Sequence, residues 1–313
     1  MNRDDLLFNI SQMYYEQNLT QAEIAQRMHI SRPSVSNLLA EARQRGIVKI
    51  SVHHPNSPIM PLASDIKKHY HLKTVLIAPH HLTTSSRQAV GQLAAQFIEG
   101  LIPDIHSLGI GWGTTMHEFA RATRPHHFSH LEVIPLIGGV GVNDIRYHSN
   151  HLAFLLNERY QCKVSYFYAP PFAESLALKA MFEQSDFYQQ HLSKIKEVDL
   201  AIMGVGNPSQ NTPFIDLGYV SPQDIQEYQS LGIVGDILST FFDAQGQTIH
   251  TDFSRRLLGI SLEDLKSLKN VVILATGREK MQAVKTLISL DYVHHIIIDE
   301  ELAEGLLPNM FAS

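Results

Sequence analysis

Between Leu6 and Ala42 the apolar residues recur at helical spacing in three short runs. Leu6, Ile10, Met13 and Tyr14 predict a first helix, Ile24 and Ala25 an inward-facing second one, and Val35, Leu38, Leu39 and Ala42 a third. Thr20 with Glu23 has the form of a capping box, in which the hydroxyl accepts from a first-turn amide and the carboxylate reaches back. His29-Ile30-Ser31 then supplies a turn, with Ser31 as the next N-cap, and Ala25 is small enough to let the two helices cross closely. That leaves Arg32, Ser34, Ser36 and Asn37 pointing outward near the start of the third helix, where recognition helices meet base edges. Ile47 to His53 alternates like a short strand, a candidate wing. Pro55, Pro58 and Pro61 then break the pattern, so the reading is a helix-turn-helix domain over 1–54 and a linker over 55–61.

From 62 to 313 the period changes. Short apolar runs at Thr74–Ala78, Leu108–Trp112, Val133–Leu136, Val164–Tyr168, Leu200–Val205, Val271–Ala275 and Ile296–Ile298 predict strands. Amphipathic helical stretches fall among them at Arg87–Leu101, His117–Ala122, Ser149–Tyr160, Pro222–Leu231, Lys280–Ser289 and Glu300–Leu307. This alternation predicts an α/β domain with a mostly parallel sheet covered on both faces, which places ligands beyond the carboxyl ends of the strands.

Four glycine-rich loops fall at such ends. Gly111-Trp112-Gly113-Thr114-Thr115 follows a strand and opens a helix, so its amides and two hydroxyls suit a phosphate. Gly138-Gly139-Val140-Gly141 permits close approach of a ligand to the backbone, and Gly204-Val205-Gly206-Asn207 ends another strand. Ala275-Thr276-Gly277-Arg278-Glu279-Lys280 ends a fourth and places a lysine to meet an anion. Arg146 and His148, between the second loop and a helix, are further ligand candidates. Trp112 is read as packing its loop. None of the loops has the spacing of a dinucleotide or P-loop fingerprint.

Charge changes the picture in one respect. The chain of 313 residues carries a net −6, yet from Thr20 to Ile50 five basic residues (Arg27, Arg32, Arg43, Arg45, Lys49) stand against Glu23 and Glu41, leaving −9 elsewhere. A basic module on an acidic body fits a DNA reader joined to something else, with Thr20, Gln21, Arg43, Arg45 and Lys49 as phosphate contacts. The single cysteine, Cys162, excludes an intramolecular disulfide and a cysteine zinc site, and reads as a buried thiol. The 18 histidines include doublets at 53–54, 80–81, 126–127 and 294–295, but adjacent residues share no helix or strand face, so no metal and no cofactor is expected. No apolar run reaches membrane-spanning length and MNRDDLLFNI lacks the apolar core of a signal peptide, which predicts a cytoplasmic protein.

The N-terminal YYEQNLTQAEIAQRMHISRPSVSNLLAEARQRGIVKI resembles the helix-turn-helix of the SorC/DeoR-type sugar-binding transcriptional regulators. LGIGWGTT, VIPLIGGVG, VDLAIMGVGNP, IVGDILSTFFDAQG and ILATGREK…HHIIIDEELAEGLL resemble, in order, their effector domain. The resemblance implies a Rossmann-like effector domain related to phosphosugar isomerases, a phosphorylated sugar or polyol that alters operator affinity, and a homodimer or homotetramer. Carried over position by position, it has Gly113, Thr114, Thr115 and Lys280 hold the phosphate, Gly138 and Gly139 line the sugar, and Asp236 accept from its hydroxyls. The chain departs from the family pattern at Ile137, where some members carry a lysine able to form a Schiff base; at Ala275-Thr276-Gly277, usually Ala-Gly-Gly; and at Asn37, where arginine is common. Asparagine suits adenine and arginine guanine, so the operator is expected to differ at that step. His29, where such turns favour glycine, carries a modest strain. The competing reading is a sugar-phosphate isomerase or deaminase with a helical N-terminal extension. It lacks a paired carboxylate or histidine dyad for the chemistry.

Overall fold

The computed structural model describes residues 3–17, 19–45, 47–48, 59–80, 84–140, 144–207 and 213–307. The chain divides into two compact units, Met1–Ser57 and Pro58–Ser313.

The first unit is three helices, α1 (Arg3–Tyr15), α2 (Gln21–Met28) and α3 (Arg32–Gln44). Thr20 Oγ1 accepts from the Glu23 amide while Glu23 Oε2 accepts from the Thr20 amide at 2.7 Å, which closes the capping box. His29 ends α2 in the left-handed region (φ 54°), the strained turn position, and Ser31 Oγ accepts from Ser34 N to start α3. Leu7, Ile10, Ile24, Ala25, Val35, Leu38, Leu39 and Ala42 form the core. Ile47 and Val48 pack against it without forming a strand, and 49–53, the rest of the expected wing, lie outside the described residues.

The second unit begins with α4 (Ile59–His69). Its first turn is Ile59-Met60-Pro61, three residues assigned above to the linker; a proline is tolerated there because first-turn amides have no intrahelical acceptor. There follow β1 (Thr74–Ala78), α5 (Ser86–Leu101), β2 (Ser107–Ile110), α6 (Thr114–Ala122), β3 (Glu132–Pro135), α7 (Ser149–Tyr160) and β4 (Lys163–Val164). Then come α8 (Leu176–Gln184), α9 (Asp186–Lys196), β5 (Leu200–Gly206), α10 (Pro213–Asp216), α11 (Pro222–Ser230) and the antiparallel strands β6 (Ile233–Ile237), β7 (Thr240–Asp243) and β8 (Thr248–Ile249). β9 (Val271–Ala275), α12 (Met281–Ser289), β10 (His295–Asp299) and α13 (Glu300–Leu306) complete it.

Seven strands lie in the order β1-β10-β9-β5-β2-β3-β4 with every pair parallel. One apolar layer packs on each face, the first around Met203, Ile273, Ile298 and Leu287, the second around Ile110, Ile202, Leu274 and Phe119. β4 is shorter than its apolar run: beyond it the Phe167 amide donates to Asn150 Oδ1 (2.9 Å) and the Phe167 carbonyl accepts from Asn150 Nδ2 (3.1 Å). At the opposite edge α13 is tied to the end of α4, whose neighbour Tyr70 donates its hydroxyl to the Leu306 carbonyl at 2.6 Å. From β2 the chain winds toward β4, and from β5 toward β9 and β10. The topological switch point therefore lies between β2 and β5, and its carboxyl edge is where an open α/β sheet holds a ligand.

Candidate functional site

A cavity of about 350 Å³ opens at that switch point. Its floor is the loop after β2, in which Gly113 (φ 114°) caps α6 without a side chain, and Gly113, Thr114 and Thr115 at this helix start line the cavity. The helix dipole adds partial positive charge there. The end of β5 contributes Gly204 to Asn207, and Glu279 and Lys280 come from the short turn that leads into α12. Arg87, in the first turn of α5, adds a second cation that the sequence reading did not single out.

Asp236 enters from the antiparallel arm, where β6 pairs with the end of β5 so that Asp236 lies opposite Gly206. A Cβ at Gly206 would sit 2.0 Å from Asp236 Oδ1, so only glycine leaves the carboxyl its place. The β6–β7 turn, Leu238-Ser239, has both residues in the left-handed region (φ 47° and 65°), and the Ser239 amide bonds the Asp236 carboxylate. Burial pushes the Asp236 carboxyl up to about 7, against the opposing pull of Lys280 and the Ser239 amide. Burial and the nearby Arg87 hold the Lys280 ammonium below its ordinary value, although Asp236, Glu279 and Asp299 draw it upward. Asp299 fixes the loop that carries Lys280: its carboxylate accepts from Gly277 N (3.0 and 3.2 Å) and from Leu302 N (3.2 Å) at the start of α13. The remaining wall is apolar, with Trp112 packed 5.5 Å from Phe214 and joined by Leu238. Trp112 thus both packs its loop and faces the cavity.

The structure brings Gly113, Thr114, Thr115, Asp236 and Lys280 together at this cavity. Gly138, Gly139 and Arg146 do not line it. The two glycines serve protein packing: a Cβ on Gly138 would meet the Pro170 carbonyl oxygen at 2.1 Å, and one on Gly139 would meet the Asn150 side chain at 2.3 Å. Arg146 is exposed and spends its guanidinium on Asp144, at 2.6 and 2.7 Å. The thiol of Cys162 is buried. Gly138→Ala is expected to cost about 1–3 kcal/mol of stability by overpacking while leaving effector affinity within a few-fold. Thermal unfolding and calorimetric titration of the variant check this; intact stability with lost affinity would return Gly138 to the ligand.

In the first unit Arg32, Ser36, Asn37 and Arg43 are exposed along α3, and Thr20 and Gln21 stand at the start of α2. Ser34 departs from expectation: it is half-buried and its hydroxyl lies 2.7 Å from that of Ser31, within the cap. Arg45 pairs with Asp4 (2.6 Å) and Glu41 (3.6 Å), so it is already engaged. Lys49 lies outside the described residues. Among the described residues no cluster of three His, Cys, Asp or Glu side chains is arranged to hold a metal, and no helix is long and apolar enough to cross a membrane.

A helix-turn-helix joined to an α/β unit with a polar cavity at its switch point defines a ligand-sensing DNA-binding protein. Residues 54–308 match the protein-family model described as "Putative sugar-binding domain", and residues 6–54 match the MarR family. The chain belongs to the SorC/DeoR-type sugar-binding transcriptional regulators, and is a regulator rather than an enzyme. It is 26% identical over 310 residues to the deoxyribonucleoside regulator of Bacillus subtilis, covering 98% of this chain and 99% of that one. It is 27% identical over 313 residues to the sorbitol operon regulator of Klebsiella pneumoniae, covering 98% and 99%. The crystal structure of that full-length regulator, SorC, superposes with a TM-score of 0.80 at 26% identity over 98% of this chain and 100% of that one. A DeoR family transcriptional regulator from Listeria monocytogenes gives 0.75 at 29% identity, over 80% of this chain and 100% of that one.

Proposed function

We propose that this regulator controls a carbohydrate-utilisation operon from the cytoplasm, as a homodimer or homotetramer, and that a phosphorylated sugar or polyol in the switch-point cavity sets its operator affinity. The observation that carries the reading is the meeting, around one cavity, of a helix N-terminus without a side-chain cap, Thr114 and Thr115, the cations Lys280 and Arg87, and the buried Asp236. The helix start, the two threonines and the two cations answer to a phosphate dianion, and the carboxyl answers to sugar hydroxyls. Two relatives of this length carry the names of a sorbitol operon and a deoxyribonucleoside regulator, which supports a carbohydrate signal.

In the first unit Arg32, Ser36 and Asn37 read base edges, while Thr20, Gln21 and Arg43 hold backbone phosphates. Oligomerisation places pairs of recognition helices on a pseudo-palindromic site. Gel-shift titration of operator fragments with and without a panel of sugar phosphates tests the reading. Operator affinity is expected to change at least 5-fold with one panel member, and Lys280→Ala or Thr115→Ala to abolish that change while basal DNA binding persists. A chain with no specific DNA site, or one whose response survives both substitutions, would sink it.

A further inference from the structure

The charges around the cavity say more about its occupant than that it is phosphorylated. Two cations face it, Arg87 from the first turn of α5 and Lys280 from the short turn that leads into α12. Two carboxyl groups face it as well, Asp236 on β6 and Glu279 beside Lys280. A phosphomonoester carries close to two negative charges at neutral pH, which the two cations match one for one. A carboxylate accepts from hydroxyls but repels a second anion. Trp112, Phe214 and Leu238 contribute an apolar wall with no countercharge.

Asp236 is held where such a group would meet it. It lies opposite Gly206 in the β5–β6 pairing, its Oδ1 only 2.0 Å from the place where a Cβ on Gly206 would stand, and the Ser239 amide bonds its carboxylate. Resting on the effector reading above, we propose that the cavity is charge-matched to one phosphate on an otherwise uncharged polyhydroxyl body, with Arg87 completing the anion pocket and Asp236 and Glu279 excluding a second anionic group. Bisphosphates and phosphorylated sugar acids are thereby rejected. Arg87 and Glu279 are the specificity residues that the glycine-loop pattern does not reveal: one lies inside a helix start, the other between an arginine and a lysine in a short turn.

The test is calorimetric titration of the full chain at pH 8, where the Asp236 carboxyl is ionised, with matched pairs that differ in one anionic group. Suitable pairs are fructose 6-phosphate against fructose 1,6-bisphosphate, ribulose 5-phosphate against ribulose 1,5-bisphosphate, and glucose 6-phosphate against 6-phosphogluconate. In any pair that binds, the singly phosphorylated neutral sugar is expected to bind at least 10-fold more tightly. Glu279→Gln, at an exposed position where folding is not at stake, and Asp236→Asn are each expected to narrow that gap to about 3-fold or less. Arg87→Gln is expected to weaken the monophosphate at least 10-fold. A doubly anionic ligand that binds as tightly as its partner overturns the charge-matching proposal and leaves the effector reading standing. Binding of none of the six phosphates overturns both, and a gap unmoved by both carboxylate substitutions overturns the assignment to Asp236 and Glu279.

Discussion

Asp236→Asn is expected to make the protein more stable than the parent at pH 8 and nearly equal to it at pH 4. In the folded chain burial lifts this carboxyl to about 7, while in the unfolded chain it titrates near 3.9. The folded state is then the stronger proton binder between these values, so this group's contribution is fully present below about pH 4 and is lost as pH rises through 7. From pH 5 to pH 8 the parent should lose about 3 kcal/mol on this account, since each pKa unit is worth about 1.4 kcal/mol. The amide variant has no proton to lose and pays no such cost. Removing the carboxylate also removes an attraction for Lys280, which trims the gain at the alkaline end. For a unit of this size the difference corresponds to a melting-temperature gap of about 5–10 °C at pH 8. Melting curves of both proteins at half-unit steps decide it: parallel profiles from pH 5 to 8 would mean that Asp236 is ionised throughout.

Ile24→Ala is expected to abolish operator binding without altering the second unit. Ile24 is fully buried among the eight core residues of the helix-turn-helix unit. Truncating a buried isoleucine to alanine costs about 2–5 kcal/mol, because the removed methylene and methyl groups leave a cavity that neighbours fill only in part. A unit that ends at Ser57 has little to spare, since domains this small rarely hold more than about 3–5 kcal/mol. Loss of that unit's transition in scanning calorimetry, with that of the larger unit unchanged, is the predicted signature. A variant that still binds operator within 2-fold at 25 °C would show that the small unit draws stability from beyond its own core.

The elements most legible in the sequence are those in which pattern and packing agree. β1, β9 and α7 run over the residues their apolar spacing indicates, because a short apolar run bounded by polar residues, at the edge of the sheet as in β1 or buried on both faces as in β9, and a helix with one buried stripe leave a clear signature. α4 was hidden by Pro58 and Pro61, which read as a linker although the second lies in a helical first turn. The β6–β7 hairpin was hidden because its turn is Leu-Ser rather than Asn-Gly; packing, not local preference, holds both residues at positive φ. In the cavity the helix-opening loop and Lys280 were visible as chemistry, whereas Gly138-Gly139 looked the same in sequence as a ligand-facing glycine pair. Only the positions of Pro170 and Asn150 reveal that those glycines admit protein atoms. Ser34 has a second role that the pattern did not single out, since a serine three residues beyond an N-cap can serve the cap as well as a base edge.

The hydrogen bonds of Asp299 have a consequence for how a signal would leave the cavity. One carboxylate grips both the Gly277 amide, three residues before Lys280, and the first turn of α13. The far end of α13 receives the Tyr70 hydroxyl, one residue beyond α4, and α4 is the helix on which the chain arrives from the DNA-reading unit. Asp299 and α13 thus join the loop that carries Lys280 to the end of α4, so that a displacement of either would load the other.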